Sequence, residues 1–258
     1  MIQYTVHWQG SCGDTSSRAR EIVLKVRTLG MFAFYGHSGW IPGPPPRKGG
    51  ELIQLLVIQP RSVVSNDQLA AMVSSTTAQE NLANRLHLAA SGARAYLRQI
   101  TGDFDPIRSL GHGYAWRSEV MVDSDLARFT QCYNEGTPEA FDRAVQIYQG
   151  EFLAGEDVEC LQPLRVRLSC MYVDMLERLA TDAFAGGRFG VALQRGLLLA
   201  QVDRSHEGAS RLVMRCFSAL ERRASIVTEY NSLKSFLQTH LGVEPSAETR
   251  QLYYSLLK

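Results

Sequence analysis

The spacing of apolar positions changes character along the chain. Glu21–Leu29 (EIVLKVRTL) alternates partly and is rich in β-branched residues, and Met31–Tyr35 and a short Trp40-Ile41 follow it across glycine-containing breaks. This pattern predicts a small antiparallel meander. Pro42-Gly43-Pro44-Pro45-Pro46 ends it, because prolines remove donors from a ladder. From Arg47 to about Ile100 the period becomes helical. Leu52, Leu55, Leu56 and Val57-Ile58 form a stripe on a first helix, which Pro60 ends. Ser65-Asn66-Asp67-Gln68 fits a capping box, with a hydroxyl for the orphan amides and Gln68 reaching back, and opens a second helix running to about Val73. Ser74–Thr77 reads as a polar turn, and a third, longer helix runs from near Ala78 to about Ile100. After Thr101-Gly102, Phe104–Trp116 reads as a hairpin with its tip at Gly111-His112-Gly113. Strands, three helices and a hairpin, in that order, define a winged helix-turn-helix.

From Asp123 onward the pattern is helical nearly throughout. Pro138–Tyr148, Leu161–Ala185, Arg188–Gln201, His206–Leu220, Ala224–Leu241 and Ala247–Leu257 each show three-and-four spacing, punctuated by Gly186-Gly187, Asp203-Arg204 and Gly242-Val243-Glu244-Pro245. Gly187–Leu193 lies 34 positions before Glu221–Val227, and Leu176, Leu179 and Ala183 map onto Ser210, Val213 and Phe217. That is the tetratricopeptide period, in which helix pairs stack because one pair cannot bury its own face. The expected fold is mostly α with a small β component. It has a tail or linker at 1–20, a winged helix-turn-helix at 21–118 and a tetratricopeptide-like helical bundle at 119–258.

Composition narrows the class. The chain has 258 residues, 45% of them hydrophobic, which suits one or two globular domains and not a disordered chain. The net charge of +1 divides into +4 over residues 1–120 and −3 over 121–258, so a mildly basic front half precedes an acidic rear half. No apolar run is long enough to span a membrane, and Met1–Arg20 lacks the apolar core of a signal peptide, so the cytoplasm is the expected compartment. Cys12, Cys132, Cys160, Cys170 and Cys216 are odd in number and contain no C-x-x-C pair, which argues for reduced thiols rather than disulfides or zinc. No G-x-S-x-G, H-E-x-x-H or P-loop string occurs, and Glu156-Asp157 with Glu159 reads as a solvated turn. The expectation is a non-enzyme with no cofactor and no metal.

The third helix carries the candidate chemistry. At about 100° per residue, Leu82, Leu86, Ala89, Ala90, Ala93 and Leu97 fall on one side, and Asn84, His87, Ser91, Arg94 and Arg98 on the other. No carboxylate lies between Asn81 and Thr101, while Arg85, Arg94 and Arg98 do. A helix entering a major groove must avoid acids, which phosphates repel, and must present groups that donate to phosphate or base edges. Arg pairs bidentately with guanine and Asn with adenine. The candidate contacts to double-stranded DNA are therefore Asn84, Arg85, His87, Ser91, Arg94 and Arg98, with Arg94 and Arg98 expected on phosphate or guanine, and His112 on the wing.

These strings resemble the Streptomyces antibiotic regulatory protein (SARP) family. Its members carry an OmpR-like winged helix followed by a bacterial transcriptional activation domain. Leu241-Gly242-Val243-Glu244-Pro245-Ser246-Ala247-Glu248-Thr249-Arg250 with Leu252-Tyr253 is nearly the family's closing signature, and Tyr148–Leu153 is similar to its Y-x-G-x-F-L. Pro163–Leu168, Tyr172 and Leu176–Ala180 follow its long helix, and the chain stops where that domain stops. Pro46-Arg47-Lys48, Leu52, Val64-Ser65 and Leu69 are similar to its first two helices, Ala83–Arg94 to its recognition helix and Gly111-His112-Gly113-Tyr114 to its wing. The resemblance implies a transcription activator that binds promoter repeats, recruits RNA polymerase through the helical domain and self-associates. The acidity of that domain suits protein surfaces, although it could equally be a platform that only orients the winged helix. The chain departs from the family at Met72-Val73-Ser74-Ser75, where a Trp-Pro pair is usual. It departs also at Gly92 and Ala95, where basic residues are usual, and at Cys160, where a tryptophan is. Gly92, Ala95 and the missing Trp-Pro pair favour the alternative, a protein-interaction adaptor whose winged helix has degenerated.

Overall fold

A computed structural model describes residues 22–36, 39–43, 49–73, 82–156 and 161–258. The tail at 1–20, Pro44–Lys48, the Ser74–Thr77 turn with the helix start at Ala78, Cys12, and the 157–160 segment with Asp157, Glu159 and Cys160 lie outside the described residues, as do the side chains of Met72, Val73 and Leu82.

The meander forms as its alternation predicts. Ile22–Arg27 (β1) pairs antiparallel with Ala33–Gly36 (β2), which pairs antiparallel with Gly39–Pro42 (β3). Leu24, Val26 and Phe34 face the core, whereas Val23 on the opposite pleat is exposed. A fourth strand of this sheet is Val120–Ser124, β7 in chain order. It lies parallel to β1 on the side away from β2, with Leu24 opposite Val122. The sequence pattern alone did not reveal it: five residues entering a helix carry too little alternation to stand out.

Helix α1, Gly50–Ile58, is buried on nearly every side, with Leu52, Ile53 and Leu56 fully enclosed. The two-residue strand β4 (Val64-Ser65) leads into α2, Asn66–Val73, through the expected capping box. The Gln68 amide donates to Ser65 Oγ at 3.1 Å, and the Ser65 amide donates to Gln68 Oε1 at 2.9 Å. Helix α3 spans Leu82–Thr101, and β5 (Ile107–Leu110) and β6 (Gly113–Trp116) form the hairpin, with β4 added beyond β6.

The rear is helical. Asp125–Glu135 (α4) is capped by Ser124 and Pro138–Ile147 (α5) by Thr137. Gln162–Ala185 (α6), Phe189–Val202 (α7), Glu207–Ala219 (α8), Arg223–Leu241 (α9) and Ala247–Leu256 (α10) follow, α6 packing on α7, α7 on α8, and α8 on both α9 and α10. The 34-residue repeat holds at backbone level. The turn between α6 and α7 donates from Gly186 to Asp182, Gly187 to Phe184 and Arg188 to Ala183. The turn between α8 and α9 repeats each bond 34 positions later, from Leu220 to Cys216, Glu221 to Ser218 and Arg222 to Phe217.

One apolar core runs from Leu24 and Phe34 through Leu56 and Trp116 to Phe129, Phe152 and Leu176, joining front and rear. The polar joint beside it is also buried. Asp125, at the start of α4, accepts from the Thr28 amide (2.7 and 2.8 Å), the Thr28 hydroxyl (2.7 Å) and the Leu29 amide (2.9 Å). The Leu153 amide donates to the Thr28 carbonyl and the Gly30 amide to the Glu151 carbonyl. Arg165 of α6, itself buried, holds that same loop by donating to the carbonyls of Phe152, Leu153 and Glu156.

Candidate nucleic-acid interface

Helix α3 separates its faces as the sequence predicts. Leu86, Ala89, Ala90, Ala93 and Leu97 are buried, joined by Tyr96, whose hydroxyl donates to the Gly43 carbonyl at 2.8 Å. Asn84, His87, Ser91 and Arg98 are exposed. With Ala95 they are spaced three, four, four and three residues apart, which makes a straight ridge of about 21 Å at 1.5 Å per residue. The ridge carries no acid, and among the described residues Arg98 has no ion-pair partner. Arg85 is half-buried beside it.

The alanines set how closely α3 sits on its neighbours. A Cβ on Gly49, the cap of α1, would run into the Ala93 amide nitrogen and lie 2.6 Å from the Gly92 carbonyl carbon, so the two backbones touch there. Gly92, unfavourable inside a helix by about 1 kcal/mol relative to Ala, therefore sits at a backbone crossing.

Strand β6 ties the wing to all three helices. Tyr114 Oη donates to the Leu86 carbonyl of α3 at 3.4 Å, and Trp116 Nε1 donates to the Leu56 carbonyl of α1 at 2.8 Å. Gly113 pairs with Ser65 at the entry to α2, where a Cβ would overlap the Val64 carbonyl oxygen. The Asn66 amide donates to the His112 carbonyl at 3.0 Å, so the exposed His112 side chain stands at the wing tip beside the start of α2.

Arg94 stands apart from the ridge. Its Nε donates to Asp105 Oδ2 at 2.8 Å, and its Nη2 to Ser109 Oγ at 2.7 Å and to the Ile107 carbonyl at 3.4 Å. Its side chain is 22% exposed, and the ion pair bolts α3 to the base of the wing. Periodicity groups Arg94 with Arg98 because both fall on the polar arc; the acid that claims it lies eleven residues on, in the approach to β5. Two wing cations were not legible in the sequence, Arg108 on β5 and Arg117 after β6, both exposed. Nothing in the local pattern separates them from ordinary surface arginines. Arg117 Nε donates to the Asp105 carbonyl at 2.8 Å. Glu119 close by has its carboxyl held below the usual carboxylate range, first by its own amide and the Ser118 hydroxyl, then by Arg117 and Arg108.

Among the described residues no group of three or more His, Cys, Asp or Glu side chains could hold a metal ion, and no helix is long and apolar enough to cross a membrane.

A winged helix joined to a repeat bundle through a shared core is the architecture of SARP-like regulators. The family model of the bacterial transcriptional activator domain matches residues 117–257, and the chain belongs to that family, one of transcription activators and not an enzyme class. Its fold is similar to that of Mycobacterium tuberculosis EmbR in complex with a low affinity phosphopeptide, with a TM-score of 0.67 at 19% sequence identity. The likeness covers 91% of this chain and 65% of that one, so this chain spans about two thirds of its length. No curated protein matches the sequence.

Proposed function

We propose that the chain is a DNA-binding transcription activator acting in the cytoplasm. Residues 21–118 dock on duplex DNA, and 119–258 form the helical activation domain that contacts RNA polymerase and supports self-association on promoter repeats. The observation that carries this reading is the acid-free exposed ridge of Asn84, His87, Ser91 and Arg98, backed by a buried alanine and leucine face and flanked by a wing bearing His112 and Arg108. Such a ridge suits the major groove, where Asn84, His87 and Ser91 read base edges or phosphate and Arg98 takes guanine or phosphate. Arg85 reaches the backbone from the ridge's flank. Arg94 serves the interface by fixing the wing against α3.

The test is a duplex titration at several salt concentrations. Affinity falls steeply with salt, and Arg98→Ala weakens binding and lowers the salt slope by about 0.9, the share of one phosphate no longer neutralised. A salt-independent Kd overturns the reading.

Ala95 in mid-ridge and the engagement of Arg94 by Asp105 leave few free cations on α3, which favours a second reading, the adaptor with a degenerate winged helix. Absence of any binding to random duplex at micromolar protein and low salt selects it.

A further inference from the structure

A groove of about 480 Å³ opens where the front and rear domains meet, on the side of α1 that α4 and α6 leave uncovered. Its floor is apolar: Val57 and Ile58 from the end of α1, Leu126 of α4, and Leu164, Leu168 and Met171 of α6. The opening follows from small residues on α4. Ala127 and Thr130 line it where longer side chains would fill it, and the Thr130 hydroxyl is spent on the Leu126 carbonyl at 2.9 Å. The polar lining consists of the Ser124 and Thr130 hydroxyls, the Gln131 and Asn134 amides and the Arg167 guanidinium. Among the described residues no carboxylate lines the groove, and Arg167 is its one charged lining residue. Arg167, Gln131 and Asn134 are exposed, and among the described residues no bond occupies their side chains.

An apolar floor with an unpaired guanidinium and two free amides at its edge is complementary to an apolar anion. The size selects a small molecule over a protein surface. The stripes from Leu126 to Asn134 and from Leu164 to Met171 run roughly 11–12 Å at 1.5 Å per residue, and the volume falls in the small-ligand range of about 300–1,000 Å³.

We propose that this groove is an effector site for a small apolar carboxylate, its chain lying over Leu126, Leu168 and Met171 and its carboxylate on Arg167. Because α1 belongs to the front half and α4 and α6 to the rear, an occupant bridges the two and strengthens their joint. The site is independent of the DNA reading.

Calorimetric titration of the full chain with octanoate, octanol and octylamine tests it, using Arg167→Glu and Ala127→Phe, both surface changes whose folding is checked by circular dichroism. Octanoate is expected to bind and to raise Tm as ligand linkage requires, octanol at least tenfold more weakly, and octylamine not at all. Arg167→Glu is expected to weaken octanoate at least tenfold and admit octylamine, and Ala127→Phe to abolish both. The proposal is overturned if octanoate does not bind, if the three probes bind alike, or if folded Ala127→Phe binds octanoate as the parent does. Self-association that Ala127→Phe abolishes, without octanoate binding, would assign the groove to a second copy and equally overturn it.

Discussion

The Arg94 guanidinium of the third helix meets the Asp105 carboxylate at the base of the wing at 2.8 Å, with Ser109 Oγ bound at 2.7 Å by the same side chain. In the proposed DNA complex, a helix in the groove and a wing on the backbone act together only if their angle is fixed, and this bridge holds α3 to the base of the wing. Arg94→Ala and Asp105→Asn should each cost about 1–2 kcal/mol, being part-buried charge-assisted bonds. That amounts to roughly 3–6 °C in Tm for a chain of this size. Both should weaken duplex binding by a similar factor while leaving the salt slope unchanged. Arg98→Ala should do the opposite, with Tm unmoved and the slope reduced. If Arg94→Ala alone lowers the slope by about one ion, Arg94 touches phosphate directly and the positioning role is wrong.

The contrast between Arg94 and Arg98 shows what the sequence could hold. Periodicity places both on one arc of α3, and it placed Leu86, Ala89, Ala93 and Leu97 correctly on the other. It could not say which arginine a distant acid would claim, since the choice depends on how the 102–106 turn brings Asp105 back. The Ser65–Gln68 box was legible because its chemistry is local, and the 34-residue period because each helix pair repeats its own burial problem. Strand β7 was not legible: its parallel partner β1 lies about a hundred residues earlier, and Val120–Ser124 has no signal of its own. Gly92 read as a flaw and lies where the backbone of Gly49 crosses.

Gly187 and Glu221 occupy the same place in the two repeats, at φ +72 and +58. The three matching turn bonds force the left-handed conformation at both. Glycine adopts it freely, and glutamate at a cost of about 1 kcal/mol. Glu221→Gly should therefore stabilise the chain by roughly 0.5–1 kcal/mol, and Gly187→Ala should destabilise it by a similar amount. Neither touches α3, so duplex affinity should not change. Chemical denaturation measures both, and a destabilised Glu221→Gly would refute the equivalence.

Cys216 is fully buried between α8 and its neighbours, and burial pushes its thiol up to about 11 from an ordinary value of 9.0. The sign follows from linkage: below 9 both states keep the proton, and above it the unfolded chain ionises while the folded one resists. Stability should then fall as pH rises from about 9 to 11. Cys216→Ala should flatten that stretch relative to its own neutral value. In native alkylation with peptide mapping at pH 8, the exposed Cys170 should react and Cys132 and Cys216 should wait for unfolding. Labelling of Cys216 at the rate of Cys170 would contradict its burial.

Asp125 joins the halves by taking the Thr28 amide, the Thr28 hydroxyl and the Leu29 amide on one buried carboxylate. Removing it strands three buried donors, each worth about 1–3 kcal/mol when unpaired. Asp125→Ala should therefore cost about 4 kcal/mol, on the order of 10 °C in Tm, and Thr28→Val, which keeps the amides, only about 1 kcal/mol. Yet unfolding of Asp125→Ala should remain a single transition by tryptophan fluorescence, whose three residues Trp8, Trp40 and Trp116 all lie in the front half, and by helical ellipticity alike. The apolar core still runs from Phe34 and Leu56 to Phe129 and Phe152, and β1 still pairs with β7. Two separated transitions in the parent would mean that the shared core does not couple the halves, and the carboxylate would then be a local cap on α4 rather than the joint between them.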